Sequence, residues 1–150
     1  MTEIHLIRAA EADLASLVPL FDAYRQFYRA ESNPEGAHAY LQERLRREEA
    51  VVFLALIDNE AVGFTLLYPL FGSIVMRPIW LLNDLFVAPH ARKHGVGHAL
   101  LERAREFGVE TGAQRLQLST EVTNTTAQSV YEAHGWKRET EYYSYRLYVE

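Results

Sequence analysis

The chain has 150 residues, no cysteine and a formal net charge of −5 at pH 7. Its length suits a single domain over residues 1–150, and its 49% hydrophobic and 23% charged residues are typical of a globular protein. The lack of cysteine excludes disulfides, thiolate nucleophiles and Cys-based zinc sites. The acidic balance argues against nucleic acid as the main partner. We find no signal peptide and no apolar run of membrane-spanning length, so we expect a cytoplasmic protein.

The first third of the chain predicts one strand and two helices. Residues 3–8 alternate between apolar and polar side chains, which indicates a strand. Apolar residues at helical spacing then predict a first helix: Leu14, Leu17, Phe21, Tyr24 and Tyr28. Ser32-Asn33-Pro34 ends it, and Pro34 fits the first turn of a second helix.

The apolar period then changes to that of strands. Val51–Ile57 is the first of these strands, residues 58–60 form a turn, and residues 61–69 complete a hairpin. We expect residues 71–78 to form a longer turn. An apolar strand follows over residues 79–87 and ends before Pro89.

Two neighbouring polar residues, Asn83 and Asp84, interrupt this last apolar strand. On a regular strand they would point to opposite faces of the sheet. A polar pair in a central strand therefore predicts either a β-bulge or a functional site at this position.

The remainder of the chain alternates between helices and strands. A short loop over residues 92–98 leads into a helix with Val96, Leu100, Ala104 and Phe107 on its apolar face, and Gly112 suits the end of that helix. The later predicted elements are a strand over residues 115–120, a short helix over 124–134 and final strands over 136–137 and 142–149. The order β-α-α-β-β-β-α-β-α-β-β predicts a mixed α/β domain.

The loop Arg92-x-x-Gly95-x-Gly97 has the features of a phosphate or pyrophosphate site. Glycines allow backbone N–H groups to approach an anion, and the following helix presents its positive end. The sequence lacks a P-loop, and Leu100 occupies the position of the third glycine of a dinucleotide fingerprint. A tight strand-to-helix turn without a ligand remains the alternative at this point.

Two motifs in this chain resemble those of the GNAT N-acetyltransferase superfamily. The first resembles the family's coenzyme A signature: Leu85-Phe86-Val87-x-Pro89-x-x-Arg92-x-x-Gly95-x-Gly97-x-x-Leu100-Leu101. The second resembles the family's next motif: Asn124-x-x-Ala127-x-x-x-Tyr131-x-x-x-Gly135-Trp136. They occur in the family's order, and the predicted elements are similar to the family's along essentially the whole chain.

The resemblance implies a GNAT-like fold and an acetyl-CoA site. The implied fold is a mixed, mainly antiparallel central sheet, flanked by helices and splayed at the coenzyme. The residues implied to flank the acetyl and pantetheine end are Leu85, Phe86 and Val87. Those implied at the pyrophosphate are Arg92, Lys93, His94, Gly95, Val96, Gly97 and His98. Asn124 and Ala127 belong to the second motif, and Asn124 is implied to contact the pantetheine arm.

The resemblance also places Tyr131 beside the coenzyme's sulfur, where a phenol can protonate the departing thiolate. The alternative for Tyr131 is a core position, because it shares a helical face with Ala127, Val130 and His134. Asp84 is our second catalytic candidate, as a ligand of the acceptor amine or as its base. Its alternative role is to stabilise a bulge.

The strand around Asp84 is similar to that of diamine (spermidine/spermine) acetyltransferases. Those enzymes carry Glu-Asp where this chain has Asn83-Asp84, so neither their base nor their polyamine specificity carries over by position. Aromatic residues cluster at Tyr24, Phe27 and Tyr28, and at Tyr142, Tyr143, Tyr145 and Tyr148. They indicate core and edge packing or an acceptor pocket, to which Glu31 would add a charge.

We therefore predict an enzyme that transfers an acetyl group from acetyl-CoA to a primary amine of a small molecule or a peptide, by direct attack in a ternary complex. The alternatives are a non-catalytic acyl-CoA-binding or regulatory module and a purely structural interaction domain. We expect no nucleic-acid or membrane partner, and a homodimer is retained as an option. His94 and His98 have zinc-ligand spacing but lack an obvious third ligand, so we expect no metal.

Overall fold

The computed structural model describes residues 3–150. Five strands form one sheet in the order β1-β2-β3-β4-β5, and four α-helices accompany them. The strands are β1 (His5–Arg8), β2 (Val51–Ile57), β3 (Glu60–Gly72), β4 (Arg77–Val87) and β5 (Arg115–Gln117). The helices are α1 (Leu14–Phe27), α2 (Pro34–Arg46), α3 (Val96–Glu110) and α4 (Thr125–Ala133).

The sheet is mixed and mainly antiparallel, as predicted. β1, β2, β3 and β4 pair antiparallel in sequence order, whereas β5 pairs parallel to β4. The parallel ladder is short, since β5 meets β4 only from Ile79 to Leu81. Within the described residues, the rest of β4 therefore has β3 as its one strand neighbour, which fits the predicted splay near Leu85 to Val87.

Helices cover both faces of this sheet. α1 and α2 pack on one face, where Leu17 and Leu41 join Leu54 and Phe64 in one buried cluster. α3 packs on the other face, and the Phe53 and Phe107 rings lie 5.5 Å apart there. This two-sided burial explains why β2 is a continuous apolar run rather than an alternating one.

The start of α2 shows how local sequence determines an element boundary. The Asn33 side-chain oxygen accepts a hydrogen bond from the Gly36 N–H at 2.9 Å, and Pro34 occupies the first turn, where its missing N–H costs nothing. The predicted helix start is confirmed.

The chain divides into two compact units, one ending at Ser119 and the other spanning Thr120–Glu150. The second unit contains α4, and no strand follows Gln117 in the described residues. The predicted strands over 136–137 and 142–149 are therefore wrong. Alternating aromatic residues give strand propensity, but a strand also needs a partner edge to complete its hydrogen bonds.

Two further boundaries differ from the prediction. The turn expected over residues 71–78 is confined to residues 73–76, because Phe71 pairs with Pro78 and Gly72 with Arg77 at the end of the β3–β4 hairpin. β5 ends at Gln117 rather than at residue 120. Across residues 3–150, the structure contains no helix with the length and apolar character needed to cross a membrane.

Candidate functional site

A β-bulge lies at the predicted polar pair in β4. Leu66 pairs with Asp84 and its neighbour Leu67 pairs with Leu82, so Asn83 is an extra residue on β4. The buried Thr65 hydroxyl donates to the Asp84 carbonyl oxygen at 2.8 Å. The bulge prediction is confirmed, and the hydrogen bond from β3 fixes the backbone at this point.

The bulge directs the Asp84 side chain to the face covered by α1 and α2. Asp84 is only 6% exposed, and its Oδ1 accepts a hydrogen bond from Asn83 Nδ2 at 3.1 Å. Burial raises the pKa of the Asp84 carboxyl, although hydrogen bonds from Tyr24 and Asn83 act in the opposite direction. A carboxyl with a raised pKa inside a cleft is a candidate for proton transfer.

Asp84 lines a pocket of about 400 Å³ between the sheet and the first two helices. This volume falls within the range of roughly 300–1,000 Å³ that is usual for small-molecule sites. The lining residues are Phe21, Tyr24, Arg25, Asn33, Gly36, Ala37, Tyr40, Tyr68, Asn83 and Asp84. We call this the Asp84 pocket. Four of these ten residues are aromatic.

A second buried carboxylate, that of Asp22, lies on α1 outside the pocket lining. It accepts hydrogen bonds from the Ser32 hydroxyl and the Asn33 N–H, each at 2.7 Å, and Arg25 lies 3.8 Å away. The Ser32 and Asn33 hydrogen bonds lower the pKa of Asp22. Asp22 therefore acts as a structural anion that ties the α1–α2 connection to α1.

The glycine loop lies at the start of α3, outside the lining of the Asp84 pocket. Lys93 and Gly95 both have positive φ, 67° and 84°, and α3 begins at Val96. Successive backbone N–H groups in such a conformation, next to a helix N-terminus, suit an anion. A Cβ added at Gly97 would have Val87 Cγ2 as its nearest neighbour at 3.8 Å, so packing within the chain does not require glycine there. The loop fits a pyrophosphate.

Arg92 joins this loop to the end of β4. Its Nε donates to the Val87 carbonyl oxygen at 2.9 Å, and its guanidinium lies 5.7 Å from the centre of the Phe86 ring. The structure thereby brings the predicted acetyl-end residues and the predicted pyrophosphate loop into one continuous region. Lys93, His94 and His98 are exposed there, whereas Val96 is a buried anchor.

The second motif lies in the second unit. The Asn124 side-chain oxygen accepts a hydrogen bond from the Ala127 N–H at 3.1 Å and caps α4. The Tyr131 ring centre lies 6.1 Å from that of Trp136, and the Tyr131 carbonyl oxygen accepts from the Trp136 N–H. The coenzyme contact of Asn124 stays a prediction, for which the side chain offers its amide nitrogen and the second lone pair of its oxygen.

The sequence offered two further candidates, a zinc site at His94 and His98 and an acceptor pocket formed by aromatic residues. His94 precedes α3 and His98 lies within it, so they do not share a helical face, and residues 3–150 contain no cluster of three or more potential metal ligands. Of the first aromatic group, Tyr24 lines the pocket, whereas Phe27, Tyr28 and Glu31 do not. The tyrosines after residue 141 are exposed.

Sequence reasoning missed most of the pocket wall. Phe21, Tyr40 and Tyr68 come from three different elements, and the Tyr40 and Tyr68 hydroxyls form a short hydrogen bond. Burial is the main cause of the raised pKa of Tyr68, with further contributions from that hydrogen bond and from the nearby Asp84 charge. The aromatic residues of α1 and α2 were the one feature of the sequence that could have indicated this pocket wall.

Comparison with known proteins gives consistent results. Residues 17–136 match the acetyltransferase (GNAT) family. The chain is 43% identical over 146 residues to the uncharacterized N-acetyltransferase YhfO of Bacillus subtilis (strain 168), covering 97% of this chain and 98% of the relative. It is 29% identical over 113 residues to the aminoglycoside N(6')-acetyltransferase type 1 of Salmonella typhimurium (strain LT2), covering 73% and 77%. A crystal structure of a probable acetyltransferase is 41% identical, with a TM-score of 0.93 and coverage of 97% and 98%.

Proposed function

This chain belongs to the acetyltransferase (GNAT) family and is an acetyl-transferring enzyme; we propose that it transfers the acetyl group of acetyl-CoA to a primary amine of a small molecule or a peptide. The observation that carries the amine assignment is the buried Asp84 carboxylate, held by the β4 bulge inside an aromatic pocket. A buried carboxylate with neutral hydrogen-bond partners favours a cationic ligand.

Acetyl-CoA would supply a thioester whose C–S bond breaks as the amine nitrogen bonds to the acetyl carbon within a ternary complex. Leu85, Phe86 and Val87 follow Asp84 directly on β4, so their backbone groups would align the acetyl end next to the pocket. The backbone N–H groups of residues 93–98 would hold the pyrophosphate, since the positive φ of Lys93 and Gly95 shapes that turn.

Asp84 would bind the amine and remove its proton. A lysine-like amine, with an ordinary pKa of about 10.4, is almost wholly protonated at neutral pH and must lose a proton before it can attack. Burial raises the pKa of Asp84, which makes its carboxylate a stronger base than an exposed aspartate. The proton passes to Asp84 directly or through one water.

Tyr131 would supply the second proton. Breaking the C–S bond leaves a thiolate, and the Tyr131 hydroxyl would donate its proton to that sulfur. This role rests on the position of Tyr131 in the second motif. Attack leaves the nitrogen with one proton more than the amide holds, and this proton passes to solvent as the C–S bond breaks. In total the ammonium loses two protons, one to Asp84 and one to solvent, and the coenzyme sulfur gains one from Tyr131. Asp84 and Tyr131 return to their starting states through solvent, so the reaction releases one net proton.

The test is a free-thiol assay with acetyl-CoA and a panel of primary amines, combined with mass spectrometry of the amine product. We expect thiol release that depends on the amine and on the enzyme, together with an acetylated amine. Binding of acetyl-CoA measured by calorimetry, without thiol release for any amine tested, would contradict the proposal and favour a non-catalytic acyl-CoA-binding module.

A further inference from the structure

The Asp84 pocket offers one carboxylate to a cationic ligand. Its two charged lining residues are Asp84 and Arg25, and the other eight are uncharged. The hydrogen-bond partners of the Asp84 side chain, Asn83 and Tyr24, are neutral as well. One ammonium group can therefore pair with Asp84 without displacing a cation of the protein.

The other buried carboxylate near the pocket, that of Asp22, already has partners within the protein. Asp22 binds the Ser32 hydroxyl and the Asn33 N–H, and Arg25 is its charged neighbour. Asp22 is not among the residues that line the pocket. A second ammonium group of a ligand would find no comparable partner there.

Two cationic side chains flank the pocket instead. Arg25 lines it, and its Nη1 donates to the Glu31 carbonyl oxygen at 2.9 Å, which holds the guanidinium in place. The Arg44 guanidinium lies 5.0 Å from the centre of the Tyr40 ring, so a cation of the protein already occupies one aromatic surface of this wall. Each arginine already pairs with a nearby carboxylate, Arg25 with Asp22 at 3.8 Å and Arg44 with Glu49 at 3.0 Å. These carboxylates are therefore already neutralised by cations of the protein, and a second ligand cation would have to compete with an arginine for them.

The remaining wall is suited to an apolar body. The Phe21 ring stacks on Tyr40 with centres 6.1 Å apart, and it lies 6.5 Å from Tyr24. Aromatic walls of this kind bind hydrocarbon or ring surfaces by burying them.

These observations, together with the proposed function on which the inference rests, lead us to infer that the acceptor is a monoamine. It carries one cationic nitrogen, which lies against Asp84, and an aliphatic or aromatic body, which packs on Phe21, Tyr24 and Tyr40. The pocket disfavours polyamines, including aminoglycosides, because a second ammonium group would be desolvated beside Arg25 with no carboxylate to pair with it.

Steady-state kinetics with n-pentylamine and 1,5-diaminopentane, which differ by one amino group, test this inference, and kanamycin is included as an aminoglycoside. We expect kcat/KM for n-pentylamine to exceed that for 1,5-diaminopentane, counted per amino group, by at least about tenfold, because the second ammonium group would be desolvated without a carboxylate to pair with it. Kanamycin should be a poorer substrate still.

Arg25→Gln tests the origin of this preference, since glutamine keeps a donor for the Glu31 carbonyl but removes the charge. We expect Arg25→Gln to lower the ratio of kcat/KM for n-pentylamine to kcat/KM for 1,5-diaminopentane by about threefold or more. Arg46→Gln is the matched control, because it removes one charge from α2 outside the pocket lining, and it should leave the ratio unchanged.

Two outcomes would overturn the inference as a whole, and one would overturn the part that Arg25 has in it. Equal or better use of 1,5-diaminopentane or kanamycin would refute the monoamine assignment while supporting the proposed acetyl transfer. An unchanged ratio in a folded Arg25→Gln protein would refute the role of Arg25. Bound acetyl-CoA with no thiol release for any of these amines would refute the proposed function, and the inference with it.

Discussion

The Thr65 hydroxyl donates a hydrogen bond to the Asp84 carbonyl oxygen at 2.8 Å, from a side chain with no solvent exposure. This contact joins β3 to the bulge of β4 and fixes the backbone that orients the Asp84 carboxylate. Thr65 has no part in the proposed proton transfers, but its hydrogen bond determines the position of the candidate base, Asp84.

Thr65→Val should therefore damage both stability and activity. Valine has nearly the same shape but leaves the buried Asp84 carbonyl oxygen without this donor, which costs about 1–3 kcal/mol in the free energy of unfolding. Urea denaturation measures that loss, and kcat/KM for the amine should fall with it. Thr65→Ser is the matched control, since it keeps the hydroxyl and should retain more activity than Thr65→Val. Equal activity of Thr65→Val and Thr65→Ser would show that this hydrogen bond does not contribute to activity.

Asp84→Asn should abolish or shift the acidic limb of the pH–rate profile. The pKa of Asp84 is raised by burial, so kcat/KM for the amine should rise with pH through a limb above the ordinary aspartate pKa of about 3.9. The affinity for acetyl-CoA, measured by calorimetry, should change much less than kcat/KM for the amine. A variant as active as the parent would exclude Asp84 as the base and favour a water held by backbone carbonyls.

The two buried aspartates should affect stability in opposite directions. A raised folded-state pKa means that Asp84 costs stability as pH rises through the ordinary aspartate range, so Asp84→Asn should raise the Tm at pH 7. Asp22 has a lowered pKa, so its contribution is present above the ordinary value and is lost as pH falls through the lowered one. Asp22→Asn should lower the Tm at pH 7. A fall in Tm for Asp84→Asn would instead indicate a structural bulge role.

Gly97→Val should weaken acetyl-CoA binding in a folded protein. The nearest atom to an added Cβ is Val87 Cγ2 at 3.8 Å, so the chain itself tolerates a first side-chain carbon there. A larger side chain would keep a pyrophosphate away from the backbone N–H groups of the loop. Calorimetry measures the affinity and circular dichroism checks the fold, with the exposed Val109→Ala on the same helix as control. An unchanged Kd would refute the phosphate role of this loop.

Tyr131→Phe should lower kcat by about 10²-fold, within the usual range for a general acid. The ring remains, so its contact with Trp136 and the affinity for acetyl-CoA should change little. Steady-state kinetics and calorimetry on the same preparation separate the two effects. If kcat equals that of the parent, Tyr131 is a packing residue.

Much of the fold could be predicted from periodicity and chain-breaking residues. The β2 range agrees with the prediction residue for residue, because a continuous apolar run is a local signal. α3 was predicted correctly as a helix, but it begins at Val96, inside the loop predicted over residues 92–98. The polar pair at Asn83 and Asp84 located the bulge. The final strands could not be predicted correctly, since a ladder depends on a partner edge that local sequence does not contain.

The sequence by itself determined the family-like motifs, the mixed sheet and the identity of the candidate residues. Only the tertiary structure decided which carboxylate is available, because Asp22 and Asp84 are both buried but meet different partners. It also assembled the pocket wall from α1, α2 and β3, and brought Tyr24 to the Asn83 carbonyl oxygen across 59 positions of sequence. Burial and pKa depend on such distant contacts, since desolvation is set by everything that surrounds a group in space.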